Sequence, residues 1–243
     1  MTDKSQLVKA VFENTSVYLT FDYNLRIRKE TVESFTQTQQ FQSVLDIPCG
    51  TGAMSIPLLP KTKQLTLVDI STNMLDVARK NITEHELEKV QMINDDFFNI
   101  NLPENSYDLV ICLGLLAHVN SPEHLLQKLS SLVSPGGLLI IQNTDSSHFY
   151  SSLIRIYLGI KHLIKKQPYT LNKVNSELLE GTLKQGGFEL QKHFRYNQSF
   201  LGLSNLFSNE KKYALTRWFF GNVTKNKHAA WGSDYTYLFK KIK

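Results

Sequence analysis

The sequence predicts an α/β fold in which a parallel sheet carries helices on both faces. Two observations predict it. Short β-branched or apolar runs alternate with helical stretches through the middle of the chain, the pattern of repeated strand–helix–strand units. The chain has 243 residues, 42% of them hydrophobic, which suits one large domain with a substantial core. No internal repeat or low-complexity linker divides it, so residues 1–243 read as a single domain.

Taken in order, residues 1 to about 40 are mostly helical and polar, a helical cap with an aromatic cluster at Tyr18, Phe21 and Tyr23. Ser43–Ile47 reads as a first buried strand, and a helical pattern over Ala53–Leu59 follows a glycine turn. Gln64–Asp69 is a second strand. Asn73–Ile82 is helical behind Ser71, a good N-cap. Val90–Asn94 and Tyr107–Leu113 are the third and fourth strands. Pro122–Leu132 is a helix capped by Ser121, with proline just inside its start. Ser134-Pro135-Gly136-Gly137 signals a turn before a fifth strand, Gly137–Gln142.

Residues 146–173 form an insertion. Leu153, Ile154, Ile156, Tyr157, Ile160, Leu163 and Ile164 have helical spacing there, with basic residues between them. The stretch reads as a core or lid helix, with a membrane-surface helix as the alternative. Asn175–Gln185 is helical and ends at Gly186-Gly187. Phe188–Tyr196 and Tyr235–Phe239 close the list of strands. Residues 200–232 make a second, aromatic-rich insertion.

Composition excludes several classes. The only cysteines, Cys49 and Cys112, imply no disulfide framework and fit a reducing, cytoplasmic setting. The N-terminus lacks a signal pattern, and no apolar run is long enough to span a membrane. The net charge is +5. Lysines at 161, 165, 166, 211, 212, 225, 227, 240, 241 and 243 read as a solvated surface, with acidic substrates, nucleic acid or anionic membranes as the alternatives. The oligomeric state has no sequence signal.

The informative segment is Val44-Leu45-Asp46-Ile47-Pro48-Cys49-Gly50-Thr51-Gly52, a strand running into a turn with two glycines. Such a turn lets a ligand approach the main chain and presents amide N–H groups to it. Asp69 ends the next strand, where an acidic residue can bind ribose hydroxyls. Ser55 stands where the nicotinamide fingerprint requires a third glycine or alanine.

Residues 44–52 resemble the first motif of class I S-adenosylmethionine-dependent methyltransferases, whose common form is D-h-G-C-G-T-G, with Pro48 replacing the first glycine. Val68-Asp69-Ile70-Ser71-x-x-Met74-Leu75 resembles the second motif and Asn94-Asp95-Asp96-Phe97 the third. Leu102-Pro103-x-x-Ser106-Tyr107-Asp108 continues the pattern. Its interval to Asp108 favours Asp96 over Asp95 as the functional acid. Asp108 to Val119 resembles the fourth strand and the loop beyond it. The likeness is closest to small-molecule enzymes of the ubiquinone-biosynthesis type. It implies a doubly wound, seven-stranded, mostly parallel Rossmann-like sheet with the last strand antiparallel, binding S-adenosylmethionine.

On that likeness Asp46 orders the methionine amino group, while Pro48, Gly50, Gly52, Leu113 and Gly114 surround the methionine end. Asp69 takes the ribose. Ile70, Met74, Asp96 and Phe97 take the adenine. The expected chemistry is in-line methyl transfer to a small-molecule acceptor through oxygen or nitrogen, driven mostly by positioning. His118, Asp145 and His148 are candidates for a base or acceptor-orienting group. Tyr18, Tyr23, Asn143 and Tyr150 are candidate substrate contacts, and the two insertions a candidate substrate lid. Arg28 reads as a surface arginine, with a carboxylate partner as the alternative. No metal is expected. Nucleic acid is not expected either: Leu113-Gly114-Leu115-Leu116 stands where base-amino methylases carry Asp or Asn-Pro-Pro-Tyr. RNA or protein methylation and a non-catalytic cofactor-binding module remain the alternatives.

Overall fold

In a computed structural model, which describes residues 4–13, 22–162, 171–172, 174–199 and 206–242, seven strands form one sheet. They are β1 (Phe41–Asp46), β2 (Thr62–Asp69), β3 (Val90–Asn94), β4 (Tyr107–Cys112), β5 (Val133–Thr144), β6 (Phe188–Tyr196) and β7 (Asp234–Lys241). Their order is β3-β2-β1-β4-β5-β7-β6. β1 to β5 pair in parallel, and β7 runs antiparallel to both of its neighbours. This is the doubly wound, mostly parallel sheet that the sequence predicts.

The helices among the described residues are α1 (Lys4–Phe12), α2 (Asp22–Phe35), α3 (Thr72–Lys80), α4 (Pro122–Leu132), α5 (Phe149–His162), α6 (Ser176–Gln185) and α7 (Asn209–Phe220). Two apolar layers cover the sheet. One is built on Leu125, Leu129, Leu179 and Leu183 of α4 and α6, the other on Val32, Phe35, Leu75 and Ala78 of α2 and α3. Central strand residues such as Val44, Leu67 and Val110 are fully buried, as expected where both faces of a parallel sheet are packed. The caps read from sequence hold. Ser71 Oγ accepts from the Met74 N–H and Ser121 Oγ from the His124 N–H.

Two local expectations are corrected. The stretch Ala53–Leu59 forms turns and then a 3₁₀ segment, Ile56–Lys61, instead of an α-helix. Pro57 and Pro60 supply no N–H, so an α-helical ladder cannot form across them. The Ser134–Gly137 segment does not precede the fifth strand but lies inside it. β5 begins at Val133, and its register against β4 shifts between Tyr107 and Leu109. Gly136, at φ +79°, accommodates the irregularity.

Candidate functional site

The site is built at the carboxyl ends of β1, β2, β3 and β4. Ile47 N–H bonds to Ile111 O and Cys49 N–H to Val68 O, so the chain leaving β1 stays pinned between its two neighbours. It then turns through Gly50 (φ +52°) and Gly52 (φ +71°). At Gly52 the positive φ favours glycine, and a Cβ would stand 2.3 Å from Ile56 Cδ1, so any side chain would also have to push Ile56 aside. The Gly50 N–H donates to Asp69 Oδ2 at 2.8 Å, and Asp69 Oδ1 accepts from the Ser71 N–H at 2.9 Å. Burial raises the Asp69 pKa, against the hydrogen bonds from Ser71 and Gly50.

Beneath the turn lies Asp46, only 1% exposed, whose Oδ2 accepts from Ser55 Oγ at 2.6 Å. Burial pushes its pKa up to about 7. The Ser55 hydrogen bond opposes the shift and the charge of Asp69 adds to it. Asp46 thus braces the turn from below and is absent from the lining of the cleft above it.

That cleft holds about 560 Å³ of empty space, counting its open mouth. Pro48, Asp69, Ile70, Asp96, Phe97 and His118 line it, with Ser5 and Val8 of α1 opposite. Asp96 Oδ1 accepts from the Phe98 N–H, while its Oδ2 accepts from Ser5 Oγ. Asp95 lines the cleft as well, and its Oδ1 accepts from the Asp96 N–H. Behind Phe97, the Lys128 Nζ lies 4.6 Å from the ring centroid and donates to Phe97 O and Ile100 O. Met74 and Leu113 are buried and do not line the cleft.

Helix α1 is tied across the mouth from both ends. Lys4 Nζ donates to Val119 O and to Asn172 Oδ1. The Glu13 carboxylate accepts from the Thr72 and Asn73 N–H groups at the N-terminus of α3, where the helix dipole favours a negative charge. Phe12 meets the His118 ring edge-on at 5.3 Å.

A second cavity, of about 530 Å³ with its mouth, adjoins the first across His118. Arg28, Gln142, Asn143, Asn172 and Gln198 line it, together with Gly114 at φ +90°. Arg28 is therefore no surface arginine. Its guanidinium stands 3.9 Å from where a Gly114 Cβ would be, and Nη2 donates to Gln198 Oε1 at 3.0 Å. Two buried polar atoms here, Arg28 Nε and Gln142 Oε1, have no hydrogen-bond partner among the described residues. Burial, with the charges of Lys4 and Arg28, lowers the His118 pKa to about 4. Its imidazole is neutral at pH 7.

Other expected site residues are placed elsewhere. Asp145 is a turn cap: its Oδ1 accepts from the Ser147 N–H and Oγ and from the Ser176 N–H. Burial raises its pKa, but these hydrogen bonds outweigh it and the net shift is downward. His148 is committed at both ring nitrogens, with Nε2 at 2.9 Å from Ala230 O and Nδ1 at 3.2 Å from the Tyr150 N–H. Neither residue lines either cavity. The Tyr23 hydroxyl donates to Gln198 O and that of Tyr150 to Ser199 O. Asn143 does reach the second cavity, although its Nδ2 is spent on Val174 O. Tyr18 lies outside the described residues, as do Tyr169, Phe200, Leu201 and Leu203 of the insertions. Among the described residues no cluster of metal-ligating side chains occurs.

Sequence reasoning missed Ser5, Val8, Gln142, Asn172 and Gln198. None belongs to a motif, and the fold brings them in from distant parts of the chain.

Comparison with known proteins agrees with this picture. A family model described as a methyltransferase domain matches residues 44–137, the segment from β1 into β5. A demethylmenaquinone methyltransferase of Listeria monocytogenes is 30% identical over 152 residues, 58% of this chain and 64% of that protein. The chain thus spans somewhat less than two thirds of that relative's length. A ubiquinone biosynthesis O-methyltransferase of Hydrogenovibrio crunogenus is 25% identical over 168 residues, 68% of this chain and 69% of that one. A crystal structure from Thermotoga maritima has the same fold, with a TM-score of 0.66 and 19% identity, over 99% of this chain and 100% of that one. It is described as a SAM-dependent methyltransferase, possible histamine N-methyltransferase.

Proposed function

We propose, from the match of residues 44–137 to a methyltransferase-domain family model, that this chain binds S-adenosylmethionine in the first cleft and methylates a small molecule held in the second. The observation that carries the proposal is the meeting of the two cavities at His118. One is lined by strand-tip carboxylates and an aromatic ring, the other by amides and a guanidinium.

The residues present fit the cofactor. A carboxylate offers about four acceptor positions. The Gly50 and Ser71 N–H groups occupy two on Asp69, leaving capacity for two ribose hydroxyls. Ile70 and Phe97 supply apolar faces for a ring, and Asp96 an acceptor at its edge. Gly114, beside Arg28, lets a ligand approach the main chain at the opposite end. When bound, the sulfonium supplies an electrophilic methyl group.

The chain's own contribution is orientation and exclusion of water. Arg28 Nε and Gln142 Oε1 would fix a polar group of the acceptor, one as donor and the other as acceptor. Among the described residues, His118 is the one histidine lining the second cavity, and no carboxylate lines it. With a pKa near 4, His118 is a weak base. The reading is therefore in-line transfer, governed by positioning, to an oxygen or nitrogen lone pair that needs little deprotonation. Residues 1–40 would cap the site, and the insertions 146–173 and 200–232 would flank it within one domain. Buried free thiols at Cys49 and Cys112 accord with a cytoplasmic setting, and among the described residues no helix is long and apolar enough to cross a membrane.

The test is incubation of the protein with a metabolite extract and methyl-labelled S-adenosylmethionine. Label is expected in a low-molecular-weight product. Label confined to RNA or protein would overturn the acceptor assignment. Failure of S-adenosylhomocysteine to bind in calorimetry would overturn the cofactor.

A further inference from the structure

Charge is distributed unevenly along this chain. The two insertions, 146–173 and 200–232, contain ten basic residues and one acidic residue, a net +9. The rest of the chain, with 17 basic and 21 acidic residues, is at −4. The acid in the insertions, Glu210, is already paired with Arg26. The overall +5 thus combines two strongly basic segments with a mildly acidic remainder of the sequence.

Among the described residues, the same two segments carry the largest exposed apolar side chains. On α5, Phe149, Leu153, Ile156 and Tyr157 recur at helical spacing, so they share one face, and all four are exposed. Phe149 meets Trp231 edge-to-face at 5.4 Å. Trp231 lines an apolar lateral cleft with Leu215 and Trp218 of α7. Trp218 is 73% exposed, Ile156 64% and Trp231 55%. Lys225 and Lys227 fold back against the end of α7, where the Lys227 N–H bonds to Phe220 O, within about one turn of Trp218. Lys161, Lys165 and Lys166 follow the apolar face of α5 in the sequence.

A soluble surface seldom leaves such a contiguous apolar patch bare. Indole rings beside aliphatic side chains, with the exposed Lys225 and Lys227 beyond the end of α7, match the chemical layering of a lipid interface, with its acyl carbon, its amphipathic boundary and its anionic headgroups. A second copy of the chain fits less well, because a two-fold contact would set the lysines of each copy against those of the other. Single-stranded nucleic acid would use the ring faces and the lysines but has no use for Leu153, Ile156 and Leu215. We propose that the face formed by α5, α7 and the loop around Trp231 docks on an anionic phospholipid surface.

The two tryptophans of the chain both lie in this patch, so intrinsic fluorescence reads it directly. The experiment adds vesicles of phosphatidylcholine with 30% phosphatidylglycerol, or of phosphatidylcholine alone, to the full chain. A blue shift of emission and flotation with the anionic vesicles are expected, with affinity falling steeply as salt rises. Trp218→Ser with Ile156→Ser should weaken vesicle binding at least tenfold, and Lys225→Glu with Lys227→Glu should weaken binding to anionic vesicles alone. All four positions are surface ones, so thermal melting of each variant should match the parent, and S-adenosylhomocysteine binding should be unchanged. Absence of flotation at low salt would overturn the proposal, as would flotation indifferent to both variants. So would a concentration-dependent blue shift without lipid, the sign of self-association, or binding of single-stranded RNA in preference to vesicles.

Discussion

The Gly50 amide donates to the Asp69 carboxylate across 2.8 Å, from the turn after β1 to the tip of β2. One side chain thereby fixes the glycine turn and, through the Ser71 N–H, the entry to α3. The acid proposed to hold the ribose also shapes the loop beside it, so binding and local stability are coupled at this residue.

Asp69→Asn tests the coupling. An amide must set its N–H₂ against either the Gly50 or the Ser71 N–H, leaving a buried donor unsatisfied. The expected cost is about 1–3 kcal/mol of stability, together with a loss of S-adenosylhomocysteine affinity on the order of ten- to a hundredfold. Urea denaturation and calorimetry measure the two. Unaltered affinity in a folded variant would sink the ribose assignment.

Gly52→Ala tests the turn itself. A side chain at φ +71° is strained, and its Cβ collides with Ile56. A loss of roughly 1–3 kcal/mol is expected. Adding Ile56→Ala should recover only the steric part, because the backbone angle is unchanged. A double-mutant cycle by chemical denaturation separates the terms, and full recovery would count against the backbone argument.

Asp46 gives stability a pH dependence of definite sign. Its folded pKa, about 7, lies above the ordinary aspartate value. The folded state therefore keeps a proton that the unfolded chain gives up. The contribution is intact below about pH 4 and declines as pH climbs to 7, by on the order of 4 kcal/mol. Asp46→Asn, which can still accept from Ser55, should gain on the parent across that window. Denaturation midpoints of both proteins at pH 5 and pH 8 provide the check, and a constant difference would refute it.

His118 is expected to stay neutral. Its folded pKa, near 4, lies below the ordinary histidine value, so its contribution to stability is present above about pH 6.5 and is lost as pH falls toward 4. The ring resonances of His118 in proton NMR should not move between pH 6 and 8. Methyl transfer should likewise show no step near pH 6.5 that His118→Gln abolishes.

Asp145 and His148 belong to the scaffold. Asp145→Ala frees the Ser147 and Ser176 amides that it caps. It should lower the melting temperature while leaving S-adenosylhomocysteine affinity within about twofold, a change under 1 kcal/mol. A large affinity loss with unchanged melting would return Asp145 to the binding site.

Much of the framework was legible in the sequence because its signals are local. Ser71 and Ser121 announce helix starts within three residues of the amides they cap. Asp46, Gly50, Gly52 and Asp69 lie at fixed offsets along consecutive elements. The proline-bearing stretch after Gly52 misled, since apolar spacing alone does not distinguish an α-helix from a 3₁₀ segment when Pro57 and Pro60 remove the amides. The second cavity was largely hidden. Arg28 meets Gln198, 170 positions further along the chain, and Lys4 meets Asn172, 168 positions further. No periodicity encodes such pairs, which exist only once the sheet has ordered its strands. His148 and Asp145 were drawn from the right strand end, but their side chains are consumed by turns that spacing does not reveal.

The position of β7 bears on how the protein is made. This strand follows β6 in the sequence yet lies inside the sheet, with β5 on one side and β6 on the other. During synthesis β5 must wait with an open edge until residues 234–241 leave the ribosome, and β6 has nothing to join before then. Such late, long-range closure slows folding and leaves sticky strand edges bare for a time. A nonsense codon ahead of residue 234 should therefore yield insoluble material, even though the residues lining both cavities would be encoded.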